Sequence, residues 1–567
     1  MTEYWSGAIT FTGLGSGTDF DSVIEATMNV ESYRLNRMKI WGDQWSSKLD
    51  QVEEISSELA LYKTKLQSMD STNEFLAKSA SSSSSAVASV TAGSGVEVGT
   101  HALEVKQKAQ NDIWSTSSGW DKSSSVITET DTTFSVQYGD DEYTIDVSAG
   151  TTLEGFVRLI NNDADMGDAV RANIIDDGNE LHLQLRGLDL GADNAVTIVD
   201  KGSDSIDGLS PADFRNSQQA QNAKFKIDGY PEGEDEWIER DSNTFSDVID
   251  GLTITIHGSS YGETVDLTVA TDTEAVIANI ESFLERTNAI RDAIAALDED
   301  MELTNEDGEE VDTTGYEVRG NYGMDIIEQS LQNILASAGL GFEYYDADDN
   351  TGDRYASLAS IGISTDADEN STTFGHLIID YEELEEALTK DPDAVARLFA
   401  ADNDGVSYDS EVSFDSSISN MTKPGEYEVE YTVQNGAIVS ATIGGEEANV
   451  DGWSITSVTG DSSGLAVTAN MHADGTYSGT IYLRQGKINQ TLDALDSFTS
   501  AEGGTLNIIE DSYKNIIKNN KTAMEKEEAR LELKHQNLVE KYAALEALLG
   551  EYEDVNSSLE SLIADLE

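Results

Sequence analysis

The sequence predicts an α+β protein of several domains, with helices at both ends of the chain packed as a stalk and β-rich domains in the middle. Apolar residues recur at helical spacing in residues 23–69 and again from residue 486 to the end. Between about residues 87 and 269 the pattern changes to the alternation typical of strands. A second alternating block, residues 402–485, predicts an inserted β domain.

The two terminal helices carry apolar stripes whose steps alternate between three and four residues, apart from one step at Leu545–Leu548. Exposed stripes of this kind are unfavourable in water, so we expect the two ends to pack together and any unpaired part to contact other subunits. We expect part of the stripe to be ordinary intramolecular core, and the run from Val555 to Leu566 is the better candidate for contact between subunits. The candidate coiled-coil or oligomer interface comprises Val52, Ile55, Leu59, Tyr62, Leu66, Leu545, Leu548, Tyr552, Val555, Leu559, Leu562 and Leu566.

Changes in pattern predict the boundaries of the domains. We expect a flexible N-terminal segment (1–20), an N-terminal helical stalk (21–78) and a β-rich head of one or two domains (79–272). After the head we expect a helical stalk region with loops (273–401), the inserted β domain (402–485) and a C-terminal helical stalk with a terminal coiled-coil segment (486–567). Local patterns predict a serine-rich linker at residues 78–85 and an acidic solvated loop at residues 297–312. Helical spacing predicts another helical stretch at residues 381–399. Asn435-Gly436 predicts a hairpin turn.

Charge and composition exclude several classes of function. The chain of 567 residues carries 34 Lys or Arg and 108 Asp or Glu, a net charge of −74, which would repel nucleic acid and anionic membranes. We therefore expect neither as a partner. The acidity is explained either by a well-solvated surface or by a saline habitat. The chain has no Cys, no apolar run long enough to cross a membrane, and no basic-then-apolar start typical of a cleaved signal peptide.

No constellation of residues predicts catalysis. The six His lack metal-ligand spacing, and no nucleophile motif or P-loop occurs. Residues 346–350 loosely resemble a calcium loop, but Thr351 stands where glycine is needed and Ser357 where glutamate is needed. We expect no enzyme activity, cofactor or metal. Arg34, Arg37 and Lys39 form a basic cluster that is either solubilising charge or part of an interface.

Ordered motifs along most of the chain are similar to those of the flagellar hook-associated protein 2 family, the filament cap proteins. Ile9-Thr-Phe-Thr-Gly-Leu-Gly-Ser-Gly17 is similar to the glycine-rich opening of the family. Arg34-Leu-Asn-Arg37 stands where the family has a basic patch, near the start of the long helix. The most specific pair lies in the predicted head: Ala220-Gln-Asn-Ala-Lys-Phe-Lys-Ile-Asp-Gly229 and Ser242-Asn-Thr-Phe-Ser-Asp-Val-Ile-Asp-Gly-Leu-Thr253. The inserted β domain and the extreme acidity depart from the family pattern.

The resemblance implies a non-enzymatic protein outside the cell, at the tip of the bacterial flagellum. It implies a homo-oligomeric ring, with a pentamer as the expected count, that promotes folding and insertion of exported flagellin. It also implies contact with hook–filament junction proteins, export by the flagellar type III system without a cleaved signal, and a cytoplasmic export chaperone on the C-terminal helix. The alternatives are an adhesin that binds glycans or mucin through the head, and another axial protein.

The glycine-rich start of the chain suggests a further role. A ring of few subunits cannot match a helical filament at every contact, so we expect an adaptable contact at the filament end. Glycines lower the barrier to backbone rearrangement. The segment also loosely resembles a phosphate-binding loop, but it lacks the preceding strand and the lysine. The candidate residues for the adaptable filament contact are Gly13, Leu14, Gly15 and Gly17.

Overall fold

The computed structural model describes residues 19–200, 202, 206–297 and 322–564. The chain divides into two compact units. The terminal unit comprises the described parts of Met1–Thr72 and Ala278–Glu567, and the middle unit comprises those of Asn73–Ile277. The predicted fold class is confirmed, since helices dominate the two ends and strands dominate the middle. None of the described helices has the length and apolar character needed to cross a membrane.

Long helices occupy both ends of the described chain. Asp19 caps the first by accepting a hydrogen bond from the backbone amide of Ser22 at 3.1 Å. The helices are α1 Phe20–Glu31, α2 Tyr33–Leu66, α3 Thr72–Phe75, α4 Leu153–Asn162, α5 Met166–Ala169, α6 Thr273–Ala296, α7 Tyr322–Ala336, α8 Tyr381–Lys390, α9 Pro392–Ala400, α10 Lys487–Thr499 and α11 Thr505–Ala564.

The helical stretch predicted over residues 381–399 is confirmed, and it consists of two helices, α8 and α9. Asp391 lies between them with φ −157°, outside the helical region, and its side chain accepts a hydrogen bond from the amide of Ala394. Pro392 follows at the first position of α9, where its missing N–H costs no hydrogen bond. The Asp-Pro pair therefore ends one helix and begins the next, which the apolar spacing alone did not indicate.

The middle unit is built from antiparallel strands. They are β1 Lys78–Ser82, β2 Ala88–Ala92, β3 Gly99–Gln107, β4 Ile113–Thr116, β5 Thr132–Tyr138, β6 Asp141–Val147, β7 Val170–Asp176, β8 Leu181–Gly187, β9 Val196–Ile198, β10 Phe214–Gln218, β11 Ala223–Ile227, β12 Ile238–Arg240, β13 Thr244–Ile249, β14 Leu252–Ile256 and β15 Val265–Thr271. They form sheets in the orders β1-β15-β3-β11-β12, β10-β4-β8-β7, β13-β14-β2 and β6-β5-β9. One hydrophobic core gathers around Phe156 and Leu183, and another around Phe225 and Ile254.

The prediction of a linker at the serine run was wrong. Residues 78–82 form β1, which pairs antiparallel with β15 in the register Ala80 with Val269. Strand pairing satisfies backbone amides and carbonyls whatever the side chains are, so small polar residues can form a strand beside an apolar neighbour. Ala80 also packs against the core of this unit.

The remaining strands belong to the terminal unit. They are β16 Ile363–Thr365, β17 Leu377–Ile379, β18 Asp402–Val406, β19 Val412–Ser416, β20 Gly425–Gln434, β21 Ala437–Ile443, β22 Glu446–Asp451, β23 Ser454–Ser457, β24 Ala466–Ala469 and β25 Gly475–Gln485. The last eight form one sheet in the order β18-β25-β20-β21-β22-β23-β24-β19. The predicted hairpin turn is confirmed: Asn435 and Gly436 both have positive φ, 54° and 76°, between β20 and β21.

Candidate assembly surface

The apolar stripe of α2 is buried inside the terminal unit. Val52, Ile55, Leu59, Tyr62 and Leu66 are each at most 2% exposed. The Tyr62 hydroxyl lies 2.7 Å from the Thr287 hydroxyl on α6, and burial raises the pKa of this tyrosine. We therefore assign these five side chains to the core of the chain itself and no longer to contact between subunits, because they have no surface left to offer.

Helices α2 and α11 meet at a polar contact that fixes their register. Asn520 on α11 is buried, and its side-chain amide donates a hydrogen bond to the carbonyl of Met38 on α2 at 2.8 Å. Gly42 makes this approach possible, since a Cβ there would lie 2.6 Å from the Asn520 Nδ2 atom. A buried asparagine between paired helices disfavours slipped registers, which would leave its amide without a partner.

Helix α1 packs on a later part of α11. Ile24, Met28, Leu35 and Leu531 form a buried cluster, and the ring of Phe20 stacks on that of Tyr542 with centroids 5.2 Å apart. The Phe20–Tyr542 pair lies at the first described turn of α1, so the pairing of α1 with α11 reaches Tyr542.

Charged side chains flank the same contact. Arg530 on α11 donates to Glu31 on α1 at 3.0 Å and to Glu527 at 2.9 Å. The hydrogen bond from Arg530, with Lys534 nearby, lowers the pKa of the Glu31 carboxyl. Because this network borders solvent, its main contribution is orientation of the helices, and its effect on stability is small.

The apolar stripe of α11 beyond Tyr542 is exposed. Leu545 is 39% exposed and Tyr552 is 67% exposed, with the other described members between these values. The exposed stripe comprises Leu545, Leu548, Tyr552, Val555, Leu559 and Leu562, and the neighbouring Ile563 extends it. Leu566, also predicted, lies outside the described residues. An exposed apolar stripe along one face of a helix is typical of a surface that packs against another helix.

A groove lies where α1 turns into α2, and we call it the junction groove. Its volume is about 370 Å³, and it is lined by Met28, Asn29, Ser32, Leu35, Asn36, Lys39, Glu528, Ala529, Leu531 and Glu532. The predicted basic cluster borders it, with Arg34 3.9 Å from the carboxylate of the buried Glu527. The sequence offered no signal for the groove because its walls come from segments almost 500 residues apart.

A buried ion pair that the sequence did not predict joins the eight-stranded sheet to Asp353, in the segment between α7 and β16. Arg484 on β25 lies 2.8 Å from Asp353 and 3.1 Å from Asp404, and it also donates to the Tyr408 hydroxyl. Arg484 and Asp353 are both buried. Burial raises the pKa of the Asp353 carboxyl, although Arg484 opposes the shift. Removing Arg484 would leave the buried Asp353 carboxylate without its cationic partner.

Lys487 lies just after this sheet and is fully buried. Its ammonium donates to the carbonyls of Ile334, Ser337 and Ala338 at 2.5, 2.9 and 3.0 Å, at the C-terminal end of α7. The end of a helix attracts positive charge, and these carbonyls lack helical partners. Burial lowers the pKa of Lys487 to about 8.

Two further predictions concern small segments. Gly13, Leu14, Gly15 and Gly17 lie outside the described residues. Residues 346–350 form a turn in which the backbones of Asp346 and Thr351 bond to each other. Across the part of the chain that the structure describes, no group of three His, Cys, Asp or Glu is placed to hold a metal ion.

Comparisons with known proteins agree on one family. The family model described as "Flagellar hook-associated protein 2 C-terminus" matches residues 220–554, and its N-terminal counterpart matches residues 16–112. Flagellar hook-associated protein 2 of Escherichia coli K12 is 26% identical over 405 residues, covering 70% of this chain and 81% of that protein. The B-type protein of Pseudomonas aeruginosa PAO1 is 24% identical over 413 residues, covering 69% and 80%.

Among solved structures, the chain is similar to the D1-D2-D3 domains of the flagellar cap protein FliD from Escherichia coli. The TM-score is 0.49 at 21% identity, covering 82% of this chain and 99% of that one. Because the C-terminal family model alone spans more than half of the sequence, the chain belongs to the flagellar hook-associated protein 2 family.

Proposed function

We propose that this protein is a structural cap at the distal end of the bacterial flagellar filament, where it forms an oligomeric ring that promotes folding and insertion of exported flagellin. The observation that carries the proposal is the family match over residues 16–112 and 220–554, which leaves few residues of the terminal helices outside it. The role is mechanical, with no catalytic step.

Assembly of the ring rests on the exposed stripe of α11. Six half-exposed apolar side chains lie on one face of a helix, and covering them with another subunit removes apolar surface from water. The resemblance supports five subunits per ring. The same stripe suits the cytoplasmic chaperone, which would cover it before export and leave it free for subunits afterwards.

The remaining partners and the location follow from the family. Flagellin and the hook–filament junction proteins are the neighbours of a cap outside the cell, reached through the flagellar type III system. We also propose that residues 1–17 form the adaptable filament contact, and we keep the division into six predicted segments as part of the proposal. No observation favours the adhesin alternative, and it is not proposed.

Complementation of cells that lack the gene tests this function. Cells without the protein should release flagellin monomer into the medium and carry few or no filaments, and the full chain should restore filaments. A chain without residues 1–17 should fold and form oligomers but leave flagellin in the medium. Normal filaments in the deletion strain would refute the cap, whereas normal filaments with the truncated chain would refute only the adaptable contact.

A further inference from the structure

Helix α1 and the start of α2 run antiparallel to α11 in a constant register. Three contacts join residues whose numbers add up to 561 or 562: Phe20 with Tyr542, Glu31 with Arg530, and Arg34 with Glu527. A constant sum means that the paired helices advance by equal numbers of residues in opposite directions. The described contacts therefore set the register as far as the first turn of α1.

The same register, continued toward the start of the chain, leads along the exposed stripe. Residues 1–18 would face the residues of α11 that complete a sum of about 561, which are residues 543–560. Even at the helical rise of 1.5 Å per residue, 18 residues span about 27 Å, against about 21 Å from Leu545 to Leu559. The segment is therefore long enough to reach the stripe as far as Leu559.

Residues 1–18 also have the composition that suits an apolar stripe on an acidic helix. They hold a single charged side chain, Glu3, and six large apolar ones: Met1, Tyr4, Trp5, Ile9, Phe11 and Leu14. Residues 543–560 of α11 hold five acidic residues and no Lys or Arg. A second copy of this tail would bring five more acidic residues to the contact, and like charges at close range repel. The charges therefore favour the N-terminal segment as the partner of the stripe.

The covalent connection gives the N-terminal segment a further advantage. Phe20 already packs on Tyr542, and Leu545 lies three residues further along α11, about 4.5 Å along its axis. A segment anchored beside its target binds with an effective concentration in the millimolar range. A separate subunit at lower concentration binds the same stripe less often.

We propose that residues 1–18 of the free subunit lie antiparallel along the exposed stripe and cover it from Leu545 to Leu559. The proposal rests on the proposed function, in which other subunits contact this stripe, and it adds a regulation of that contact. A neighbouring subunit must displace the segment, which is then free for the filament contact. Leu562 and Ile563 lie beyond the cover at this register and offer the neighbour a first point of contact.

Cysteine labelling tests the cover directly, because the chain has no Cys of its own. Val555 belongs to the stripe, whereas Ser557, two residues further on, lies on the opposite face of α11. Reaction with a maleimide is followed for Val555→Cys and Ser557→Cys, each with and without residues 1–18, and circular dichroism checks that helicity is kept. Removal of residues 1–18 should speed up labelling at position 555 at least fivefold and leave position 557 unchanged.

The dilution series of the labelling experiment separates the possible covers of the stripe. Equal labelling at position 555 with and without residues 1–18 would overturn the proposal. Protection by the chain's own segment does not depend on protein concentration. Protection that disappears on dilution would show that a second subunit covers the stripe, which overturns the proposal and leaves the proposed function intact. Normal filaments in cells that lack the gene would instead refute the proposed function, whatever the labelling shows.

Substitutions in the full-length chain give an independent test. Trp5→Ser/Ile9→Ser should raise the labelling rate of Val555→Cys several-fold, as the truncation does, because the cover loses apolar anchors. The matched control, Thr10→Ser/Thr12→Ser, changes two polar side chains of the same segment and should leave the rate unchanged. An unchanged rate in the first variant, or an equal rise in both, would overturn a cover held by apolar contacts.

Discussion

Replacement of Gly42 by alanine should destabilise the terminal unit, although alanine is the better helix former. In the interior of a helix, Gly→Ala by itself contributes about 1 kcal/mol of stability. Here the new Cβ would lie 2.6 Å from the Nδ2 atom of Asn520, which must move. Its hydrogen bond to the Met38 carbonyl is then lost, and the buried amide keeps only a weak acceptor, the Met524 sulfur at 3.6 Å.

The net effect follows from these opposing contributions. A lost hydrogen bond costs about 1 kcal/mol, and a buried amide without a partner costs about 1–3 kcal/mol. Subtracting the gain in helix propensity leaves a net loss of about 1–3 kcal/mol. Asn520→Ala removes the obstructing amide. The double variant Gly42→Ala/Asn520→Ala should therefore lose about 1–2 kcal/mol less unfolding free energy than the two single variants lose in sum.

Gly550 provides the matched control. It also lies within α11, but a Cβ there would meet nothing within 4 Å. Gly550→Ala should therefore increase helicity. Urea unfolding followed by circular dichroism at 222 nm, with hydrogen exchange of the peptides around residue 42, measures both changes. If Gly42→Ala stabilises the protein as Gly550→Ala does, the register contact between α2 and α11 is refuted.

Further predictions concern the buried charges and the stripe. Lys487→Met should destabilise the terminal unit by about 3 kcal/mol, since three carbonyls lose their donor. The Lys487 pKa of about 8 lies below the unfolded value of about 10.4, so the unfolded chain binds the extra proton between these pH values. The free energy of unfolding of the wild type, measured relative to that of Lys487→Met, should therefore rise from pH 8 to 10 by at most about 1.4 kcal/mol per pH unit. A fall in the urea midpoint of the wild type relative to that of the variant over this range would contradict the prediction. Deletion of residues 402–485 removes Arg484 and leaves the buried Asp353 carboxylate without its partner, so it should cost about 3–5 kcal/mol of unfolding free energy. Asp353→Asn in the deletion variant should restore much of this loss. An unchanged melting temperature in the deletion variant would refute the role of the buried pair. Leu559→Ser/Leu562→Ser should lower the mass seen by light scattering while the helical signal stays constant, and an unchanged mass would refute the role of the stripe.

Local signals in the sequence predicted much of the fold. The Asn435-Gly436 turn was predictable because both residues tolerate positive φ, and the terminal helices because their apolar spacing is regular. The serine run was mistaken for a linker because strand pairing depends on the partner strand, which lies almost 190 residues away. Pro392 is a local signal for a helix start, and it could have divided the predicted helical stretch into its two helices.

The candidate site was only partly predictable for the same reason. Apolar spacing identified the stripes on α2 and α11, but it could not show that Val52 and Leu59 pack inside the chain while Leu559 is exposed. That distinction depends on where α6 and α1 lie. The Arg484–Asp353 pair and the junction groove join residues far apart in sequence, and only the tertiary structure brings them together.

Location of the protein on intact cells tests the central claim most directly. Immunogold labelling with an antibody against the inserted β domain, viewed by electron microscopy, should place gold particles at the distal tips of the filaments, with cells that lack the gene as the control. Labelling along the filament shaft, at the junction of hook and filament, or only on the cell body would contradict the account of this protein as the filament cap.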